Sequence, residues 1–336
     1  MRPAEPRFIW PRTTVLLTFA VLAAFVGSLL VGPAGLRPGV VLSALVADGG
    51  DMVSIVVHEI RLPRSLLALA IGATLGLAGA ALQGYLRNPL AEPGLIGVSG
   101  AAALGAVLTL YTGLSAAFSL ALPLGGIFGA ILAVVLVLLL AGRNADTLTL
   151  ILAGVAVTSF AAALTSLALN LAPSPYAALE IVFWLLGSLS GRSMEHVALA
   201  LPFMAVGWVM LASVARALDA LTLGEDAAQS LGFHLPAVRA RLVIGTALAV
   251  GAATAVAGTI GFVGLVVPHV LRPLVGHRPA ALLPVSALGG ALLLLLADTL
   301  VRAITPAQEL KLGVVTALVG APFFFWLVIR NRRGIA

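Results

Sequence analysis

The side chains that most often perform chemistry are few in this chain and lie far apart. Among its 336 residues there are 5 histidines and no cysteine. A zinc site usually takes its ligands from closely spaced His, Cys, Asp or Glu residues. The histidines form no i,i+4 pair and no Ser/His/Asp grouping, so we predict neither a metal site nor catalytic residues. They are His58, His196, His234, His269 and His277.

The chain also lacks a nucleotide-binding loop. A P-loop needs a lysine followed by Ser or Thr after a glycine-rich turn. The one lysine is Lys311, within Glu-Leu-Lys-Leu-Gly at 309–313, so the chain has no Walker A motif. We predict that the chain is not itself an enzyme and binds no cofactor. If ATP drives its activity, a separate subunit must bind the nucleotide.

Charged residues are almost absent from the apolar segments. Asp298 and Arg302 lie at the outer end of the ninth predicted span, and Arg143 and Asp146 lie in a predicted cytoplasmic loop. Ionisable side chains inside a membrane mark the pathways of ion-driven transporters. A proton- or sodium-driven mechanism therefore lacks its usual carriers, although backbone carbonyl groups could still bind sodium. An ion-coupled secondary transporter is the second function that the sequence leaves open.

The elements that position these residues must lie in a membrane. Hydrophobic residues make up 61% of the chain and charged residues 10%, whereas soluble domains carry about 25% charged residues. Too few polar groups remain to cover a surface in water, which excludes a soluble enzyme and a disordered chain. The net charge of +6 suits loops facing an anionic leaflet. The basic residues are scattered along the chain and form no basic stripe, so we predict no nucleic-acid partner.

Apolar runs of the length needed to cross a bilayer, about 20 residues, recur along the chain. One run, Leu242–Leu271, would be about 45 Å long as a single helix, which is half as long again as the bilayer core. Gly258, Gly261 and Gly264 interrupt it, which favours two shorter helices. The other runs are Thr13–Gly32, Leu66–Leu86, Leu95–Tyr111, Leu114–Leu140, Leu148–Leu171, Val197–Val214, Ala280–Val301 and Leu312–Ile329.

The distribution of basic residues decides the number of spans. Ten spans with both termini in the cytoplasm place 13 of the 19 basic residues on the inner side, and nine spans place 10 there. Cytoplasmic loops carry an excess of Lys and Arg. The sequence therefore predicts an all-α, polytopic membrane protein with about ten transmembrane helices, forming a single domain over residues 1–336. The first run is too long for a cleaved signal peptide.

A shorter apolar segment, Ile181–Leu189, is too short to cross a membrane. It lies between Pro173 and Pro175 on one side and Gly191 on the other. Backbone at membrane depth must satisfy its hydrogen bonds within the protein. We therefore predict a short interfacial or re-entrant helix on the outer side.

Two segments of the chain resemble each other at an offset of 179 residues. Gly72-Ala73 aligns with Gly251-Ala252, within six identities over 18 positions. The segments lie in the second and seventh predicted spans, which cross in opposite directions, and inverted repeats of this kind enclose transport pathways. A shared content of small residues is the alternative explanation. Close helix packing is predicted from the GxxxG spacing of Gly72/Gly76 and Gly125/Gly129.

The cytoplasmic loop at residues 217–236 has the features of a short docking helix. Glu225 and Asp226 fall in its predicted first turn, where the helix dipole favours negative charge. Gly232 follows as a stop signal, and Pro236 lies beyond it. A helix of about seven residues is unstable alone in water, so docking against another protein would supply the missing contacts. An ordinary solvated connector is the alternative.

Several motifs then occur together in one order. Arg-Leu-Pro-Arg at 61–64, Gly-Ala-Ala-Leu-Gln-Gly at 79–84 and Arg-Asn-Pro-Leu-Ala-Glu-Pro-Gly at 87–94 are followed by Gly-Phe-Val-Gly-Leu-Val-Val-Pro-His at 261–269. Ala297-Asp298 with Arg302, and Gly-Ala-Pro-Phe-Phe at 320–324, complete the set. With these motifs the chain, from about residue 55 to 328, resembles the permease family of type II ABC importers for iron–siderophores, haem and vitamin B12. Lys311 departs from the family, which usually has Pro there.

The resemblance implies a complete transport assembly in the bacterial inner membrane. It implies ten spans in one permease domain and a homodimer with the pathway on its two-fold axis. Two ATPase subunits beneath would use ATP and Mg²⁺, and a periplasmic binding protein would dock above. The cargo would be an iron chelate, with haem favoured because the sequence around Gln83–Ser99 is closest to haem-uptake members. A siderophore is the next candidate, and vitamin B12 follows.

The resemblance also assigns roles to particular residues. Arginines of the matching motifs meet carboxylates on the binding protein, and a guanidinium group binds a carboxylate through two hydrogen bonds; snorkelling at a helix start is the alternative for the first two. The docking residues are Arg61, Arg64 and Arg302. The residues that constrict the cytoplasmic end are Asn88, Leu90 and Thr147. The short outer helix matches the periplasmic gate, and the ATPase-coupling residues are Leu223, Gly224, Glu225, Asp226, Leu231 and Gly232.

Overall fold

The computed structural model describes residues 10–32, 35–46, 51–118, 120–142, 147–304 and 310–332. Within these ranges every regular element is helical, which confirms the predicted all-α fold. A π-helical turn, Val56–Arg61, joins α3 to α4. The α-helices are α1 Trp10–Leu30, α2 Pro38–Val46, α3 Met52–Ile55, α4 Leu62–Tyr85, α5 Val98–Tyr111, α6 Ala121–Ala141, α7 Thr147–Asn170, α8 Pro175–Leu185, α9 Met194–Ser213, α10 Ala215–Leu221, α11 Glu225–Ser230, α12 Leu235–Ala257, α13 Val263–Leu271, α14 Pro279–Ile304 and α15 Leu312–Arg332.

Seven helical segments among the described residues are long and apolar enough to cross a membrane. The remaining three of the ten predicted spans coincide with the shorter apolar helices α5, α13 and α15. The chain is therefore polytopic, as its composition predicts. The seven long segments are Pro11–Leu30, Met52–Tyr85, Ala121–Ala141, Leu148–Asn170, Met194–Ser213, Leu235–Ala257 and Pro279–Ile304.

The long apolar run at 242–271 is broken at a glycine, as predicted. Helix α12 ends at Ala257, and Gly258 follows with a φ of 74°. Residues other than glycine are strained at such a positive φ, and a Cβ at Gly258 would also overlap the carbonyl oxygen of Trp184. Helix α13 then begins at Val263. Two short helices therefore replace one that would overshoot the bilayer.

The centre of the fold is the contact between α4 and α14. Gly72 and Gly76 of α4 lie against the backbone of Gly290 and Ser286 of α14, so closely that an added Cβ would overlap a carbonyl oxygen. Glycines let helix backbones approach to this extent because they carry no side chain. Helix α4 is buried along most of its length, and it joins α14 into one packed unit.

The second predicted GxxxG pair has the same role in another helix contact. Gly125 and Gly129 of α6 lie against the backbone of Gly105 and Ala101 of α5. A side chain at either glycine would displace the neighbouring helix. The prediction that both glycine pairs permit close packing is therefore confirmed.

The short outer helix begins earlier than predicted. It covers Pro175–Leu185 and not Ile181–Leu189. Ser174 caps it by accepting a hydrogen bond of 3.2 Å from the N–H of Ala177, and Pro175 suits the first helical position because its missing N–H is not needed there. The helix ends before Gly187, whose φ is 72°. The prediction used the apolar stretch alone and missed Ser174 and Pro175, which mark the start of the helix.

The two halves of the predicted repeat differ in their local structure. Helix α4 continues through Gly79 to Tyr85, whereas the aligned segment leaves its helix at Gly258. The matching residues therefore lie on one continuous helix in the first half and on two helices in the second. The inverted repeat stays a prediction.

Candidate coupling, gating and docking sites

Two short helices, α10 and α11, connect the long helices α9 and α12. Helix α11 covers Glu225–Ser230, and Glu225 and Asp226 form its first turn. Gly224 and Gly232 flank it with φ values of 108° and 88°, which glycine adopts without strain. The predicted short helix is thus confirmed with six residues, and α12 begins before Pro236.

The loop that contains α11, residues 223–232, presents apolar and acidic side chains outward and is called the coupling segment below. Leu223 is 72% exposed and Leu231 is 62% exposed, and Glu225 and Asp226 are also exposed. Ala228 is fully buried and fixes α11 against the rest of the protein. Large aliphatic side chains in a polar loop are typical of a surface that another protein covers.

Asn88 and Leu90 lie in one tight turn at the end of α4. The side-chain Oδ1 of Asn88 accepts a hydrogen bond of 2.9 Å from the N–H of Leu90, and the carbonyl of Asn88 accepts one of 3.1 Å from Ala91. Both Asn88 and Leu90 are exposed. Thr147 begins α7, and its side chain lies outside the described part. The structure therefore brings two of the three predicted gate residues together.

A polar pair beside this turn, the buried Gln83 and the partly buried Arg272, was not predicted as functional. Gln83 of α4 is 1% exposed, and its Nε2 donates to the carbonyls of Gly264 and Leu265, each at 3.3 Å. Its Oε1 accepts a hydrogen bond of 2.6 Å from Nη2 of Arg272. The pair ties the end of α4 to α13. Gln83 belongs to the motif Gly-Ala-Ala-Leu-Gln-Gly at 79–84, but no local pattern in the sequence pairs it with Arg272.

Glu92, just beyond the turn, is a second residue that the sequence did not single out. Burial raises the pKa of the Glu92 carboxyl above its ordinary value, because desolvation disfavours the charged form. It precedes the short turn Pro93–Ile96, which leads to α5. A partly buried acidic residue therefore follows the turn that holds the exposed Asn88 and Leu90.

The three predicted docking arginines lie together in one charged cluster around Asp298. Nε of Arg64 donates to Oδ1 of Asp298 at 2.9 Å, and Nε of Arg302 lies 3.0 Å from its Oδ2. Nη1 of Arg302 also donates to the carbonyl of Ser28 at 2.9 Å. Nη1 of Arg61 donates to the carbonyl of Leu29 at 2.8 Å. The cluster therefore joins α1, α4 and α14.

This arginine cluster is buried, although the sequence suggested a surface position. Asp298 is fully buried, Arg61 is 3% exposed and Arg302 is 8% exposed. The side chain of Arg64 is 12% exposed. In this conformation Arg64 and Arg302 bind the carboxylate of Asp298, and Arg61 donates to the carbonyls of Leu29 and Leu30 at the end of α1. The docking role of these residues stays a prediction.

The FecCD transport family model matches residues 20–330 of the chain. The chain belongs to the FecCD transport family. It shares 44% identity with the uncharacterised ABC transporter permease protein YvrB of Bacillus subtilis, over 86% of this chain and 83% of that protein. It shares 40% identity with the vitamin B12 import system permease protein BtuC of Vibrio cholerae, over 96% of this chain and 95% of BtuC.

A solved structure gives the same assignment for this FecCD protein. It is described as an inward-facing conformation of an ABC transporter assigned to the metal-chelate type, and it covers 95% of this chain and 99% of its own. The TM-score is 0.84 at 33% sequence identity. The resemblance seen in the motifs is confirmed: this FecCD chain is a multi-pass permease of an ABC importer.

Proposed function

We propose that this FecCD permease moves a bulky metal chelate inward and depends on separate ATPase subunits for energy. The coupling segment carries the proposal, because it is a small folded unit with two exposed leucines and two exposed acidic residues. Burying a leucine contributes about 1.5–3 kcal/mol, so Leu223 and Leu231 give a partner a strong apolar anchor. Glu225 and Asp226 fix its orientation through charge. ATP and Mg²⁺ bind to that partner.

The cargo is a chelate of the cobalamin or haem kind. Cobalamin is the first candidate, because relatives named as vitamin B12 permeases match nearly the full length of the chain. Haem is the second candidate, supported by the sequence around Gln83–Ser99, and a ferric siderophore is the third. All three are large molecules that enclose a metal ion, so this chain would contact the organic surface of the cargo and not the metal.

The pathway lies on the two-fold axis of a homodimer. An apolar groove of about 600 Å³ lies between the end of α8, the turn at 259–262 and α15. It is lined by Leu186, Thr259, Phe262, Leu318 and Phe325, among others. One chain provides one side of this groove, and a second copy supplies the opposite wall. A weakly polar wall suits a cargo that must not be held tightly.

A periplasmic binding protein docks at the outer end of α4 and α14, where the arginine cluster lies. The cluster contains three guanidinium groups and one carboxylate, so it carries a surplus of positive charge. Carboxylates on the binding protein complement that surplus and steer the encounter. The proposed assembly has both termini in the cytoplasm and lies in a bacterial inner membrane, as the distribution of basic residues predicts.

Reconstitution in proteoliposomes tests the function. The chain is combined with its ATPase subunit and binding protein, and the uptake of cyanocobalamin, haem and a ferric siderophore is compared. We expect ATP-dependent uptake of cyanocobalamin, and no ATP hydrolysis by the chain alone. Uptake driven by a proton or sodium gradient without the partners would contradict the proposal and favour the ion-coupled alternative. Uptake of haem alone would replace the first candidate cargo by the second.

A further inference from the structure

Asp219 joins the helix before the coupling segment to the beginning of α14. It lies in α10, and its Oδ1 accepts a hydrogen bond of 2.8 Å from the backbone N–H of Ala280. Its Oδ2 accepts one of 3.3 Å from Nη2 of Arg278. The side chain of Asp219 is 29% exposed and that of Arg278 is 54% exposed. The backbone contact is therefore the better shielded of the two.

The bond to Ala280 satisfies a group that α14 cannot satisfy by itself. The first N–H groups of a helix have no acceptor within the helix. Helix α14 begins at Pro279, which has no N–H, and the preceding Arg278 carries only donors in its side chain. Asp219 therefore caps α14 from another helix, and its negative charge faces the positive end of the helix dipole.

The beginning of α14 is also in contact with α4. A Cβ at Gly84 of α4 would lie 3.3 Å from Cβ of Pro279 and 3.4 Å from Cδ1 of Leu218. Helix α10 thus meets the beginning of α14 and the end of α4 together. The turn that holds Asn88 and Leu90 follows directly.

Helix α14 connects this point with the outer side of the protein. Its 26 residues give a length of about 39 Å. Asp298 and Arg302 lie near its far end, where Asp298 binds Arg64 of α4. A displacement of the beginning of α14 along its axis therefore reaches the arginine cluster, because a helix transmits axial movement over its whole length.

We propose that Asp219 is a positioning residue that transmits movement of the coupling segment to α14 through its bond to the N–H of Ala280. The inference rests on the proposed function, since an ATPase must move the coupling segment. The hydrogen bond that caps α14, and not the ion pair with Arg278, transmits this movement. Ion pairs between exposed side chains contribute little, and the Arg278 side chain is more than half exposed.

Three variants separate the cap from the ion pair. Asp219→Ala removes both contacts, Arg278→Gln removes only the ion pair, and Asp219→Asn keeps an acceptor for the N–H, since Asn is a good capping residue. Uptake of radiolabelled cyanocobalamin per ATP hydrolysed is measured in proteoliposomes. We expect at least a fivefold fall for Asp219→Ala and values within twofold of the wild type for the other two. An equal fall for Arg278→Gln would overturn the assignment to the cap.

A second readout needs no cargo. The chain has no cysteine, so Ile304→Cys, at the exposed end of α14, accepts a single spin label. With the ATPase subunit bound, nucleotide should change the label spectrum in the wild-type background and in Asp219→Asn, but not in Asp219→Ala. An equal response in Asp219→Ala would overturn the inference alone. Absence of any response in the wild-type background would remove the proposed function and the inference together.

Binding of the ATPase subunit and the thermal unfolding midpoint control for folding. Both should be unchanged in Asp219→Asn and Arg278→Gln. If Asp219→Ala fails to assemble, Asp219→Glu replaces it, because it keeps the charge and moves the carboxylate by one methylene group away from the cap geometry. Uptake per ATP should then fall at least twofold. An unchanged ratio in that variant would overturn the inference.

Discussion

Arg272 donates a hydrogen bond of 2.6 Å from Nη2 to Oε1 of Gln83, across 189 residues of sequence. The amide of Gln83 in turn donates to two carbonyls of α13. The side chain of Gln83 therefore connects α4, which leads into the turn of Asn88 and Leu90, with α13, which follows the break at Gly258. The pair fixes the relative position of two helices that lie far apart in the sequence.

Replacing Gln83 by Leu should destabilise the permease. The substitution leaves the partly buried guanidinium of Arg272 without its acceptor and two carbonyls without their donor. Losing a hydrogen bond to a charged group costs about 1.5–3 kcal/mol, which should lower the thermal unfolding midpoint in detergent. Gln229→Leu, at an exposed position of α11, is the control and should leave the midpoint unchanged. An unchanged midpoint for Gln83→Leu would show that the pair is not structural.

A methyl group at Gly76 should not be tolerated. An added Cβ overlaps the carbonyl of Ser286, so Gly76→Ala must separate α4 from α14, and overpacking of this kind costs about 1–3 kcal/mol. Gly27→Ala is the matched control, because no atom lies within 4 Å of the added group. We expect Gly27→Ala to keep or raise the unfolding midpoint and Gly76→Ala to lower it. Equal midpoints would contradict the close packing of the two helices.

Replacing Asp298 by Asn should be among the most damaging single changes in α14. Asp298 is fully buried, and its loss leaves Arg64 and Arg302 without a compensating charge. Removing one member of a buried ion pair costs about 3–5 kcal/mol. The yield of folded protein and its unfolding midpoint measure the effect, with the exposed Glu59→Gln on the same side as control. A stable Asp298→Asn variant would mean that the arginines find other partners.

The double substitution Leu223→Ser and Leu231→Ser should weaken binding of the ATPase subunit at least tenfold. Each exposed leucine buried in the contact is worth about 1.5–3 kcal/mol. Since both are exposed in the isolated chain, the unfolding midpoint should not change. Binding is measured by titration of the detergent-solubilised permease with the ATPase subunit. Leu114→Ser, at an exposed position between α5 and α6, is the control, and an equal loss of binding for that variant would exclude a specific contact.

Docking of the binding protein should depend on Arg64 and on salt. Arg64→Gln removes positive charge from the least buried of the three arginines, so the association rate should fall at low ionic strength. The difference should shrink in high salt, because ions screen the attraction. Stopped-flow association measures the rate, and Arg241→Gln, at an exposed position of α12, is the control. Identical rates at low ionic strength would remove the docking assignment.

Much of the fold follows from composition and spacing. Apolar runs place the long helices, because about 20 apolar residues are needed to cross a bilayer. The glycines at 258–264 predict the break between α12 and α13. The predicted start of the short helix α8 is wrong, because Ser174 and Pro175 precede the apolar stretch on which the prediction depended. Capping residues outside an apolar run decide where such a short helix begins.

The site was predictable only in part, for a physical reason. Helix α11 of the coupling segment is a local structure, so its flanking glycines and two acidic residues are sufficient to predict it. The contacts of Gln83, Asp219 and Asp298 join residues far apart in sequence, and no local pattern encodes such distances. The burial of the arginine cluster was missed for the same reason. The carbonyls that cover it belong to the end of α1, which is not part of the arginine motifs.

The glycine contact between α4 and α14 has a consequence for the transport cycle. Where two backbones touch directly, no layer of side chains can change rotamers to let the helices slide. The two helices should therefore move together as one rigid body in the transport cycle. Movement that enters at the beginning of α14 should then displace α4 as well, and the two openings should alternate as this pair rocks against the peripheral helices, such as α7 and α15, whose side chains lie largely outside the core.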